Sequence, residues 1–429
     1  MTLSGTAAAE AAERERERRR AEGAALAPLR AAFARFEGRP PEEAAADEPL
    51  WQVVRDAFDV DLTLVNLNNG GVSPSPRLVQ EALRRDQARA NEAPAYAMWS
   101  VLEPEVETAR AGLATLFGCD KEEIAITRNA CESLETLLFG FDLEAGDEVL
   151  TTNQDYPRTL AALRQRERRE GIVVRAISFP VPPPSAADLV DRFRRAITPR
   201  TRVLLVSHMS YLTGQIFPVA EICRMGREAG LEVVVDGAHS LAQLSFRRDD
   251  LGCDYFGATL HKWVMAPHGT GLLYVRREKI ERLWPLMAAG SDIRADDIRK
   301  FEQIGTHPAA VHNATREALA FHEVIGTARK SARLRYLRDL WARRLEKHPR
   351  VRLLTDLDPS MSCGLGTFTA SGMEPDALVE ALWERRRIFV VAFTHEEFSG
   401  VRVTPSFYTR AEDVAAFAEE TEKILDGRR

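Results

Sequence analysis

Past about residue 60 the chain alternates short apolar runs with amphipathic stretches. TLVNL precedes the helix-like PRLVQEALRRDQARA, EIAIT precedes ACESLETLLFG, and DEVLTT precedes YPRTLAALRQRERRE. IVVRAISF, VLLVSH, LEVVVDGAH, DYFGATLHKW and GTGLLYVRR continue the series, with the helical patterns SAADLVDRFRRAI and PVAEICRMGREAG between the early members. Near-continuous Val, Ile and Leu bounded by turn residues is the pattern of strands covered on both faces. Repeated strand–helix units predict an α/β fold, a mostly parallel sheet wrapped by helices. Such sheets bind ligands at the carboxyl ends of their strands, so the residues just after each run are the ones to inspect.

From about residue 310 the texture changes. One long helical stretch, ATREALAFHEVIGTARKSARLRYLRDLWARRLEKH, leads to VRLLT, GLGTFTA, the helix EPDALVEALWERRR, then IFVVAF, VRVTPS and a last helix AEDVAAFAEETEKIL. The reading is residues 1–60 as an N-terminal helical segment, 61–310 as a large α/β domain and 311–429 as a smaller α+β domain. A length of 429 residues suits more than one core.

Composition narrows the function classes. Hydrophobic residues at 45% and charged ones at 28% are ordinary globular usage. A net charge of −6 gives no electrostatic reason to expect nucleic acid. No apolar run reaches the roughly 18 residues a membrane span needs. EAAERERERRR near the start is followed by no apolar signal core and reads as a solvated helix, so a cytoplasmic protein is expected. The five cysteines are odd in number and lack CxxC spacing, which argues against a disulfide framework and a metal site.

Lysine usage singles out one position. Of 58 basic residues only seven are lysines. Lys121, Lys279, Lys300, Lys330, Lys347 and Lys423 sit beside charged residues and are read as exposed. Lys262, in FGATLHKWVMAP, has no acid or arginine between Asp254 and Arg276. An amine at the end of an apolar strand loses solvation, which lowers its pKa and makes it the nucleophile a Schiff base requires. A lysine that snorkels to the surface is the other reading. Asp236, just past the apolar strand VVV, changes the balance. Pyridoxal 5′-phosphate (PLP) sites pair a Schiff-base lysine with an acid or arginine at the pyridine nitrogen. TRNACES then starts a helix straight after a strand, where the free amides of Ala130 and Cys131 could seat a phosphate. Cys131 itself reads as a small helix-start residue.

With TRNACES, NQDYPRT, SHMSYLTGQ, VVVDGAHS, GATLHKW, EQIGTHPAA and VRVTPSFYT in order from about 66 to 410, the sequence resembles the class V aminotransferase superfamily of fold-type I PLP enzymes, and within it the isopenicillin N epimerase-like group. The resemblance implies that Lys262 forms the Schiff base with PLP. His261 and Thr259 would contact the phosphate with the Ala130 and Cys131 amides. Asp236 would pair with the pyridine nitrogen, His239 would lie by the phenolic oxygen, and Tyr156 would cover the ring face. Thr306 would reach the phosphate of a partner subunit, implying a homodimer with sites at the interface. Arg402 would clamp the carboxylate of a small amino-acid substrate, and Asn69 would line the same pocket.

Two departures from that pattern matter. Cysteine desulfurases carry a catalytic Cys shortly before the carboxylate-binding arginine, whereas here VVAFTHEEFSG has none. Tyr211, in SYLTGQ, stands where many members have Asn, a wording that resembles kynureninases. The expected activity is chemistry at the α-carbon of an amino acid or amino-acid-bearing metabolite, with removal or transfer of the amino group by transamination or oxidative deamination placed first. β-Elimination, as by a C–S lyase, or epimerisation is the alternative, and a non-catalytic PLP-binding regulator is placed last.

Overall fold

The computed structural model describes residues 5–428, with side chains from residue 12 onward. Its centre is a seven-stranded sheet of β1 (Ile124–Thr127), β2 (Glu148–Thr152), β3 (Val173–Ile177), β4 (Thr201–Ser207), β5 (Glu232–Asp236), β6 (Tyr255–Thr259) and β7 (Gly271–Val275). In space they run β1-β7-β6-β5-β4-β2-β3. Only β7 is antiparallel, to both β1 and β6. The other six therefore end at the same edge, and register places Ser207 opposite Asp236 and Asp236 opposite Gly257.

The continuous apolar runs have a direct cause. Successive strand residues point to opposite faces, and here both faces are covered. Ile124, Ile126, Leu204, Val206, Val233, Val235 and Phe256 join one apolar cluster. The intervening Ala125, Val203, Leu205, Val234 and Tyr255 join another. The first helix, α1 (Gly5–Ala34), is stitched along its charged part by Arg18, which bridges Glu15 and Glu22 at 2.8 and 2.7 Å. Its later residues Leu26, Leu29 and Phe33 are buried in the first cluster.

A second sheet holds β8 (Val351–Leu353), β9 (Gly366–Ala370), β10 (Val391–Thr394) and β11 (Ser399–Val403) in the order β10-β11-β9-β8, antiparallel throughout. Its core is built on Leu337, Trp341, Phe368 and Phe417. No described helix is long and apolar enough to cross a membrane.

Three details differ from the sequence reading. TLVNL yields only the pair Val65–Asn66, which runs parallel to Ile388–Phe389 rather than joining the large sheet. The long helical stretch is two helices, α4 (Thr315–Ile325) and α5 (Thr327–Leu345), because Gly326 at φ 80° leaves the helical region. Lys300 and Lys330, expected at the surface, are buried at 5% and 1% exposure. Lys300 satisfies its amine with the carbonyls of Ile280 and Ala295, both at 2.7 Å.

Candidate active site

The common strand edge gathers the chemistry. A cavity of about 210 Å³ there is lined by Ala130, Cys131, Tyr156, Asp236, His239, Thr259, His261 and Lys262. Eight of the eleven residues predicted for the site thus meet in one place; Asn69, Thr306 and Arg402 are not on this lining. A larger groove of about 760 Å³ lies elsewhere, along Thr108–Leu116, Phe246 and Arg316, and holds no lysine and none of the predicted site residues.

Lys262 stands in the loop after β6, where the Ala266 amide folds back on the Leu260 carbonyl. Its Nζ lies 3.2 Å from His239 Nε2. Burial outweighs the nearby Asp236 carboxylate and pulls the amine down to about 8. Asp236 ends β5 and accepts the Ala238 amide at 2.8 Å. Burial pushes its carboxyl up to about 6. His239 is held well below the usual histidine range by burial, then by Lys262, and its Nδ1 is buried with no protein partner.

The helix after β1, α2 (Ala130–Gly140), is capped by Asn129, whose Oδ1 accepts the Glu132 amide at 2.9 Å. The Ala130 amide donates to Thr259 Oγ1 at 3.1 Å. Among the described residues the Cys131 amide has no acceptor, so the helix start keeps an open donor toward the cavity. The Cys131 thiol is pushed up by burial and then by Asp236, which leaves it a poor nucleophile. His261 is half-buried, with Nδ1 3.1 Å from the Thr270 carbonyl, and burial takes it down to about 4. Tyr156 opens the helix α3 (Pro157–Glu170) and meets Tyr211 edge-on at 5.3 Å between ring centroids.

Arg402 comes from the second sheet, on β11. Its Nη1 donates to the Tyr211 carbonyl at 2.9 Å and its Nη2 to Asn68 Oδ1 at 3.0 Å, while Nε is buried without a partner. Among the described residues no carboxylate lies within ion-pair distance of it. Glu396, a partner it could have taken, instead accepts from Asn153 Nδ2 at 2.8 Å. Burial lowers the pKa of the guanidinium, the mark of a cation short of an anion.

Asn69 is fully buried, with Nδ2 donating to the Asn66 carbonyl at 3.0 Å and Oδ1 accepting from the Tyr408 hydroxyl at 2.7 Å. Both ends of its amide are thus already partnered, and it is the preceding Asn68 that reaches Arg402. Thr306 is exposed and outside the cavity. The lining also includes Arg158, Ser207, Met209, Tyr211 and Gly71. Of these, sequence reasoning singles out only Tyr211, although Arg158 lies inside NQDYPRT and Ser207 and Met209 inside SHMSYLTGQ. Behind them Asp155 accepts from Thr151, Thr152 and Ser207, locking the ends of β2 and β4 together.

These residues fit pyridoxal 5′-phosphate. The cavity offers one depressed amine, one buried carboxylate without a cationic partner, one orphaned histidine nitrogen and one open helix-start amide. Those are the groups that a carbonyl, a pyridine nitrogen, a phenolic oxygen and a phosphate require.

Residues 65–417 match the model of the family described as aminotransferase class-V. The isopenicillin N epimerase of Streptomyces clavuligerus is 29% identical over 390 residues, covering 87% of this chain and 98% of that enzyme. A probable cysteine desulfurase of Methanothermobacter thermautotrophicus is 25% identical, covering 84% of this chain and 94% of its own. Among solved structures, a lysine-to-alanine mutant of C-DES with glycine covalently linked to the PLP cofactor superposes with a TM-score of 0.76 at 26% identity, covering 86% of this chain and 98% of that one. A second C-DES structure describes that enzyme as a cystine C–S lyase. Strand order, cavity chemistry and similarity over most of the chain converge: the chain belongs to the class V aminotransferase family and is a pyridoxal 5′-phosphate-dependent enzyme.

Proposed function

We propose that the protein acts at the α-carbon of an amino acid, or of an amino-acid unit in a larger metabolite, with Lys262 as the base and Arg402 as the carboxylate clamp. The observation that carries this is the pairing of a half-buried amine lowered to about 8 with a half-buried guanidinium that has no anion of its own among the described residues. The cofactor, when bound, supplies an electron sink for the carbanion at Cα.

The chain's side chains divide the remaining work. Arg402 is pre-aimed by the Tyr211 carbonyl and Asn68, so its fork is fixed before a carboxylate arrives. Lys262 would accept the α-proton; near neutral pH its free amine is far more abundant than that of an exposed lysine. His239, 3.2 Å away, is the first group that can share that proton. Asp236 is assigned to the pyridine nitrogen, where a cation would return its carboxyl toward the ionised form. Cys131, His261 and Thr259 are assigned to the phosphate end and Tyr156 to the ring face.

Epimerisation is our first reading of the outcome. The similarity to isopenicillin N epimerase spans nearly all of both chains, and the Tyr156–Tyr211 pair supplies phenol hydroxyls in the cavity besides Lys262. β-Elimination is the second reading. The hairpin Val391–Val403 carries no thiol, unlike the desulfurase pattern, which favours a lyase over persulfide transfer. Amino-group removal or transfer, placed first on sequence alone, needs only Lys262 as base, but none of the relatives named above is named for it.

Incubating the protein with an amino-acid panel in heavy water, followed by chiral separation and mass spectrometry, tests this. Deuterium at Cα with both enantiomers formed is the expected result. Labelled keto acid with loss of a β-substituent would select elimination, and keto acid that depends on an acceptor would restore amino transfer. No label in any panel member or in isopenicillin N would reject Lys262 as an α-carbon base.

A homodimer is part of the same reading. Tyr96, Trp99, Trp284 and Met287 are large apolar residues more than half exposed, and Thr306 lies outside its own cavity, as a residue serving a partner's site would. A cytoplasmic location belongs to the same reading, resting on the scattered, odd-numbered cysteines of the sequence.

A further inference from the structure

Besides the half-buried Lys262, Lys330 is the one lysine that touches the loops of the site. It stands in the first turn of α5 with 1% exposure. Among the described residues no carboxylate is within ion-pair distance, although leaving a buried amine unpaired is costly. Its Nζ donates to the Trp263 carbonyl, lies 2.9 Å from His322 Nδ1 and sits 4.6 Å from the centre of the Phe407 ring. Burial pulls its amine down to about 7, which eases the missing counter-ion. His322, on α4, is oriented by Thr327 Oγ1 at 3.0 Å from its Nε2.

The partners are the telling feature. Trp263 directly follows Lys262, and Phe407 follows the strand that carries Arg402. The next residue, Ser331, donates to the Gln243 carbonyl, and Gln243 Nε2 donates to the His239 carbonyl at 2.5 Å. One helical turn therefore grips the main chain beside both Lys262 and His239.

We infer that Lys330 is a positioning residue for Lys262: through the Trp263 carbonyl it fixes the main chain from which Lys262 projects, and His322 holds Lys330 in place. This rests on the reading of Lys262 as the lysine that carries the cofactor.

The test compares wild-type holoenzyme with Lys330→Met, Lys330→Gln, Lys300→Met and Lys262→Ala. The readouts are the visible circular dichroism of the cofactor band, the pH midpoint of that band, and thermal unfolding. Lys330→Met is expected to lose most of the visible dichroism and to shift the midpoint by about half a unit or more. Lys330→Gln keeps an N–H for the Trp263 carbonyl and should restore both. Lys300→Met, which removes a buried lysine far from these loops, should lower stability while leaving both readouts unchanged. If Lys330→Met only loses stability, as Lys300→Met does, the positioning role is overturned. Should Lys330→Met give no soluble holoenzyme, His322→Leu is expected to move the midpoint too, and an unmoved midpoint would overturn the inference. The parent reading fails separately, if borohydride reduction of Lys262→Ala still leaves the cofactor covalently attached to the polypeptide.

Discussion

Arg402 bears a charge that the fold leaves unanswered. Two neutral acceptors hold its fork and no acid neutralises it, so an arriving carboxylate would replace lost hydration with charge-assisted hydrogen bonds. Removing such a bond costs about 1.5–3 kcal/mol, so Arg402→Ala is expected to weaken amino-acid binding roughly 10- to 100-fold while leaving cofactor uptake intact. Spectral titration of the cofactor band with amino acids measures this, and an unchanged midpoint would remove the carboxylate role. Individual residues were unevenly legible in the sequence. Lys262 and Asp236 stood out because each broke an apolar run at a strand end. Lys330 did not, because its charged sequence neighbours say nothing of burial produced by the packing of distant segments. That Asn68, the neighbour of Asn69, is the residue bonded to Arg402 was hidden for the same reason. Neighbouring side chains in an extended segment point to opposite sides, and only the isolated bridge of Asn68 to Thr404 sets which one faces Arg402.

At the scale of elements, legibility followed burial pattern. The strands of the large sheet were readable because two apolar clusters take alternate residues of each one, which turns the expected alternation into a solid run. TLVNL carries the same local signal, yet its backbone finds partners at Ile388–Phe389 and Thr404. Pairing over that separation is decided by tertiary packing rather than by propensity. The break at Gly326 was visible as a letter but not as a boundary, since a glycine inside a helical pattern is tolerated in many helices. It matters here because the turn that follows it presents Lys330 and Ser331 to the active-site loops. The hairpin carrying His395 and Glu396 also reaches back to Asn153, with His395 Nε2 3.0 Å from the Asn153 carbonyl, so the second sheet is tied to the site at its rim as well as through Arg402.

At the scale of the whole molecule, the proposed site draws on both sheets: the large one would supply Lys262, Asp236 and the helix-start amide, and the second would supply Arg402. The exposed Tyr96, Trp99, Trp284 and Met287 leave apolar surface that a lone chain would have to keep in water. Sedimentation equilibrium is expected to give twice the 47.9 kDa chain mass, and a monomer that retains bound cofactor would contradict the shared-site reading of Thr306. The account as a whole turns on one covalent attachment. Borohydride reduction of the holoprotein followed by peptide mapping addresses it directly, because seven lysines leave few places to confuse. The reduced cofactor is expected on Lys262 and nowhere else; attachment at Lys330 or any other lysine, or none at all, would overturn the role of Lys262.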